Sequence, residues 1–172
     1  MELSIIIVNY LKEDSSIGAI GINMLSGNRE FLPASGDFPS ISNMFWMKKI
    51  QKKNKLLADK NTAQEVDWLT GSFLLIPSKV FATIGGFDED YFMYVEDVDL
   101  CRRIANKNYK RLFLPQFQYI HFVGFNTSKN PLLVKGYALY ISKHFTGAYK
   151  VLISFALSIN KFVKDIKLFL KR

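Results

Sequence analysis

The sequence predicts one α/β domain with a helical C-terminal tail, on three observations. Residues 3–8 form a nearly unbroken β-branched apolar run, the mark of a strand buried on both faces of a parallel sheet. Residues 96–107 carry an amphipathic helical pattern, with Leu100 and Ile104 on one face and acidic residues in the first turn, where the helix dipole favours them. The chain has 172 residues, 49% hydrophobic and 15% aromatic, enough for one core and too apolar for intrinsic disorder. A large multidomain machine is excluded.

The elements follow in order. After the strand at 3–8 the chain reaches Asn9 and Tyr10, then a second strand at 17–25 whose small residues permit close backbone approach. Too few residues separate these two strands for a helical crossover, so the connection at 11–16 is unusual. Residues 26–65 read as a loop with a helical turn or two, strongly basic between Lys48 and Lys60. A strand at 73–76 stops at Pro77, and a short helix from Ser78 to Ile84 ends at Gly85. Strands at 112–114 and 118–122 flank Pro115, and the second carries His121. Everything from Leu132 onward reads as helix.

Charge is uneven. Residues 1–128 hold 14 basic and 14 acidic side chains, whereas residues 129–172 hold nine basic ones against Asp165 alone, so the tail carries the whole net charge of +8. An electrically balanced body argues against nucleic-acid binding, which needs a basic face on the fold. Val151 to Ile159 is too short an apolar run to span a bilayer. As an amphipathic helix with Leu, Ile and Phe on one face and Lys on the other, the tail is expected to lie against an anionic membrane surface. The alternative is a helix packed on the domain with its lysines in water. The single cysteine, Cys101, excludes an internal disulfide, and an N-terminus without a basic leader points to a cytoplasmic protein at the inner face of the membrane.

The densest chemical signal is Gly86-Phe87-Asp88-Glu89 followed by Phe92-Met93-Tyr94-Val95-Glu96-Asp97-Val98-Asp99-Leu100-Cys101-Arg102-Arg103. This stretch, with Trp68, Gly71 and Ser72 upstream and Pro115 and His121 downstream, resembles the C-terminal half of family 2 glycosyltransferase domains, particularly the bacterial rhamnosyltransferase-like branch. Residues 3–10 look like that family's first strand. The resemblance implies an incomplete GT-A domain, Rossmann-like and of the nucleotide-diphospho-sugar transferase type, over residues 1–128, with residues 129–172 as a basic helical tail.

Transfer of a sugar to a hydroxyl needs a base at the acceptor oxygen, stabilisation of the leaving diphosphate and a pocket that excludes water. Asp97, in the first turn of its helix, can be that base, with Glu96 beside it, and the dipole is expected to keep it ionised. By resemblance, Trp68, Gly71, Asp88, Glu89 and Arg103 belong to the acceptor or substrate side and Asn9 and Tyr10 to the nucleotide side. His121 would approach the diphosphate or a Mg²⁺ or Mn²⁺ ion. A reading of the carboxylates as a glycoside hydrolase pair fails, because adjacent residues cannot flank a glycosidic bond. The family's Asp-x-Asp metal motif and the strands around it are absent, as after an internal deletion following residue 10. Two functions follow: an inverting transferase acting on a glycan or lipid-linked acceptor, or an inactive remnant serving as a membrane-associated binding module. An unpaired edge on the first strand would favour a homodimer.

Overall fold

A computed structural model describes residues 3–45, 62–122 and 129–170; the expected basic loop from Lys48 to Lys60 lies outside the described residues. The chain opens with helix α1 (Leu3–Glu13), followed by β1 (Ile17–Leu25), the short strands β2 (Phe31–Leu32) and β3 (Ser35–Gly36), helix α2 (Ile41–Phe45), β4 (Gln64–Glu65) and β5 (Trp68–Leu69). Helices α3 (Ser78–Thr83) and α4 (Glu96–Asn106) lead to the long strand β6 (Lys110–Ile120), and α5 (Lys129–His144) and α6 (Gly147–Phe169) complete the described chain.

Helix α1 corrects the expected strand at 3–8 and removes the puzzle of the short connection. No crossover exists: α1 runs directly into β1 through a turn in which Asp14 accepts hydrogen bonds from the Ser16 backbone N–H (2.8 Å) and hydroxyl. The Ile/Val run misled because a short buried apolar stretch has the same composition in either state. Its burial pattern settles the matter, since Ile7, Tyr10 and Leu11 lie at helical spacing and pack on Ile17, Ile20, Ile22 and Leu114. The strand edge on which a dimer was expected is therefore not there.

The main sheet has the order β2-β1-β6-β4, with β1 and β6 parallel and the outer pairings antiparallel. β1 is almost wholly buried. Helix α1 covers one face of the sheet, and α4 covers the other through Leu100, Cys101 and Ile104 against Ala19, Leu69 and Phe113. Close approach explains Gly18, where an added Cβ would stand 2.5 Å from Tyr109 Cβ and 2.7 Å from Ile104 Cγ2. The strands expected on either side of Pro115 are one strand, β6, whose register slips between Ile22↔Leu114 and Asn23↔Gln118. Proline has no N–H for the ladder, so residues 115–117 bulge and pairing resumes beyond them. The strand expected at 73–76 reduces to a single antiparallel bridge, Leu75 to Ile20, which covers the free edge of β1.

Residues 129–170 are not a separate appendage. The buried faces of α5 and α6, with Ile141, Ile153, Ala156 and Leu157, close on Met44 of α2, and Tyr140 enters a second cluster with Tyr91, Val95 and Val98. Two polar ties fasten the end of α5 to the body: His144 Nε2 lies 2.6 Å from Asp99 Oδ1, and Lys143 Nζ bridges Asp88 (2.6 Å) and Asp90 (2.5 Å). Among the described residues no helix is long and apolar enough to cross a membrane.

Candidate functional site

The acidic motif becomes a site because of how α4 begins. Tyr94 and Val95, immediately before the helix, both adopt left-handed backbone conformations (φ 67° and 75°). A β-branched residue there is strained by about 1–3 kcal/mol and persists only where packing enforces it. Helix α5 does the enforcing: Val95 is buried against Tyr140, and Gly136 rests directly on the turn. A Cβ on Gly136 would stand 2.6 Å from Tyr94 O and 2.9 Å from Val95 Cγ2. In an unencumbered helix, Gly→Ala would stabilise by about 1 kcal/mol. Here overpacking should win, and Gly136→Ala is expected to destabilise by about 1–3 kcal/mol, lowering the melting temperature by roughly 5 °C. An unchanged or raised melting temperature would show that α5 does not bear on the turn.

The strained turn delivers Asp97 to the wall of a cavity of about 440 Å³ at the C-terminal end of β1. Trp68, Gly71, Glu96 and His121 share that wall, as do Tyr94, Leu133 and Tyr137. Trp68 is placed by the β3–β5 pairing and by its indole N–H, which donates to Asp37 O at 3.1 Å. Asp97 accepts backbone N–H bonds on both oxygens, from Gly71 (2.9 Å) and Val98 (2.8 Å). Gly71 belongs to the site through this bond.

The electrostatics of Asp97 differ from expectation. The helix start was expected to hold the carboxylate ionised, yet its pKa is pushed up to about 6. Burial is the largest cause and the Glu96 charge adds to it; the two N–H bonds oppose them only in part. A carboxylate poised there is ionised at neutral pH and a stronger base than an exposed one. Glu96 Oε2 is buried with no hydrogen-bond partner among the described residues.

Other expected residues lie elsewhere. Arg103 is occupied by Asp99 Oδ2 (2.8 Å) and by the carbonyls of Ile84 and Gly86 (2.7 and 2.6 Å), which makes it a brace of the Gly85-Gly86 turn. Asp88 is engaged by Lys143 and by the Asp90 N–H, and neither it nor Glu89 lines the cavity. Asn9 and Tyr10 lie within helix α1, and Tyr10 faces Gln116 of β6 rather than the cavity wall. Asp14 pairs with Lys110 at the N-terminal end of β1, roughly 26 Å of strand away from the cavity. For Mg²⁺ or Mn²⁺ the donor set does not fit: among the described residues no group of three or more His, Cys, Asp or Glu side chains could hold an ion. His121 stacks edgewise on Tyr119, at 6.4 Å between ring centroids.

Tyr94, Leu133 and Tyr137 were not singled out as site residues in the sequence. Tyr94 lies inside the motif and could have been. Leu133 and Tyr137 reach the cavity from a helix more than 30 residues downstream, and no local pattern announces that.

No family model matches the chain. It is 41% identical over 66 residues to the N-acetylglucosaminyl-diphospho-decaprenol L-rhamnosyltransferase of Mycobacterium tuberculosis, covering 38% of this chain and 22% of that protein. It is 44% identical over 57 residues to the rhamnosyltransferase WbbL of Escherichia coli K12, covering 33% of this chain and 22% of the relative. The match thus spans about a fifth of each relative's length. Among solved structures it is similar to GalNAc-T7 crystallised with UDP, GalNAc and Mn²⁺, at 15% identity and a TM-score of 0.49, over 88% of this chain and 34% of that one. The chain therefore contains a stretch of rhamnosyltransferase-like glycosyltransferase sequence within an α/β fold.

Proposed function

We propose that the chain carries the acceptor side of an inverting glycosyltransferase, with Asp97 as general base. The observation that carries this reading is the Asp97 carboxylate, its pKa near 6, on the wall of a cavity bordered by Trp68, Tyr94 and Tyr137. Aromatic faces suit the apolar faces of a sugar ring. In a single displacement the acceptor oxygen attacks the anomeric carbon and its proton passes to Asp97. The bond from that carbon to the diphosphate breaks, and the nucleoside diphosphate leaves with the bonding electrons. One displacement inverts the anomeric centre. The sugar proposed is rhamnose and the acceptor a lipid-diphosphate-linked N-acetylglucosamine, both after the relatives' names. No step is assigned to a metal.

A second reading is favoured by a specific observation. The described residues offer no metal cluster, and Asn9 and Tyr10 lie away from the cavity, which suits a glycan-binding remnant without a donor site. Mass spectrometry of the chain incubated with uridine- and thymidine-diphosphate rhamnose and the lipid-linked acceptor separates the two. A rhamnosylated product supports the transferase; acceptor binding without product, or with the acceptor alone retained, supports the remnant.

The partner proposed for α6 is an anionic membrane at the cytoplasmic face. Leu152, Phe155, Ile159, Phe162, Ile166 and Phe169 follow one another at alternating steps of three and four, a single outward stripe on the helix. Phe155, Phe162 and Phe169 are 61%, 66% and 78% exposed, while Lys150, Lys161 and Lys164 lie off that stripe. A lysine-rich helix repels a second copy of itself, which favours a negatively charged lipid surface over a dimer. The chain is expected to float with phosphatidylglycerol vesicles and to detach as salt is raised. Replacing Phe155, Phe162 and Phe169 together by Ser should weaken that binding at least tenfold per ring. Undiminished flotation of the triple variant would remove α6 as the contact.

A further inference from the structure

Helix α5 contributes one polar group to the Asp97 cavity, the hydroxyl of Tyr137. The ring packs between the two clusters that α5 joins, beside Tyr140 and Val95 on one side and Ile141 and Met44 on the other. Its hydroxyl makes no hydrogen bond to any described residue, yet the residue lines the same cavity as Asp97, Trp68 and Glu96. The phenol is close enough to Asp97 to respond to its charge: burial first, and the Asp97 carboxylate second, push its pKa up to about 12. At neutral pH it is a neutral donor with no protein acceptor. The hydroxyl is therefore left without a protein partner on the cavity wall, where an oxygen of a bound ligand can accept its hydrogen bond. Its position is also enforced, because Gly136 seats α5 against the Tyr94–Val95 turn and so holds the next residue at a set distance from Asp97.

We propose that Tyr137 is a positioning residue for the acceptor, donating a hydrogen bond to an oxygen of the acceptor sugar while Asp97 receives the reacting hydroxyl. This inference rests on the glycosyl-transfer reading above and extends it to a residue outside the acidic motif.

The test uses the full chain and its Tyr137→Phe variant, with a short-chain alkyl diphosphate of N-acetylglucosamine as the probe. Calorimetry should show the probe binding about 3- to 10-fold more weakly to the variant. The acceptor KM should rise by the same factor, with kcat and the donor KM within about twofold of the parent. The melting temperature should stay unchanged, because the hydroxyl holds no protein group. A purely structural tyrosine would move the melting temperature and leave the acceptor KM alone. Equal probe binding by parent and variant, or a shift in melting temperature only, overturns the role of Tyr137 and leaves the transfer reading standing. A parent chain that neither binds the probe nor transfers sugar overturns both.

Discussion

Asp97→Asn is expected to lower the rate of sugar transfer by about 10² to 10⁴ while the chain remains folded, because the amide keeps the shape of the carboxylate and cannot take the acceptor proton. The fold should tolerate the change. One of the two backbone donors, Gly71 N–H or Val98 N–H, will face an amide NH₂ instead of an oxygen, at a cost of about 1 kcal/mol. Removing an ionised group that burial disfavours works in the opposite direction. The parent's pH profile gives an independent check. With the Asp97 pKa at about 6, kcat/KM should fall tenfold per pH unit below that value, and the acid limb should vanish from whatever residual activity Asp97→Asn retains. The sign for stability is also determined. An acid whose folded pKa is raised above its ordinary 3.8 favours folding in its protonated form, so its contribution is fully present below pH 3.8 and is lost as pH rises through about 6. Activity and this component of stability therefore trend oppositely across that window. A fully active Asp97→Asn variant would exclude Asp97 from the mechanism and point to Glu96.

The parts of this site that were legible in the sequence are those written in local periodicity. Helix α4 was readable from Leu100 and Ile104 and from its acidic first turn, and its i, i+4 spacing brings Asp99 and Arg103 together at 2.8 Å. The positions of Trp68, Gly71 and His121 on one cavity were readable only through a family resemblance, since nothing local brings three separated segments together. Residues 3–8 were misread because the same apolar run serves a buried strand or one face of a helix, and only the packing of Ile7, Tyr10 and Leu11 decides between them. The role of α5 was invisible for a different reason. His144 and Asp99 are 45 residues apart, and Gly136 matters for the shape of a turn some 40 residues before it. The basic, amphipathic composition left open a helix against a membrane or one packed on the domain, and Tyr140, Ile141 and Ile153 do enter the core.

Asp99→Ala should be the most damaging single substitution for stability, at about 3–5 kcal/mol. Asp99 is 1% exposed and joins helix α4 to the end of α5 and to Tyr91. It accepts hydrogen bonds from Arg103 Nε (2.8 Å) and the Tyr91 hydroxyl (3.4 Å), and His144 Nε2 lies 2.6 Å away. Deleting the carboxylate strands the Arg103 guanidinium without its counter-charge and removes the His144 tie, leaving Lys143 as the remaining polar tie of α5 and weakening the hold of Gly136 on the Tyr94–Val95 turn that places Asp97. Against a total stability of about 5–15 kcal/mol, that loss leaves little folded margin. The pH dependence separates this mechanism from simple cavity formation. Burial alone would raise the Asp99 pKa, but the hydrogen bonds from His144 and Arg103 outweigh it and hold the carboxyl below its ordinary 3.8. A lowered folded pKa contributes stability that is present above 3.8 and is lost as pH falls through the folded value. Urea titrations at pH 7 and pH 3 should therefore show a smaller gap between parent and Asp99→Ala at the lower pH. Asp99→Asn, which keeps one acceptor oxygen and the volume, should fall between the two at pH 7. A gap that is equal at both pH values would mean that Asp99 contributes through its volume and not through its charge.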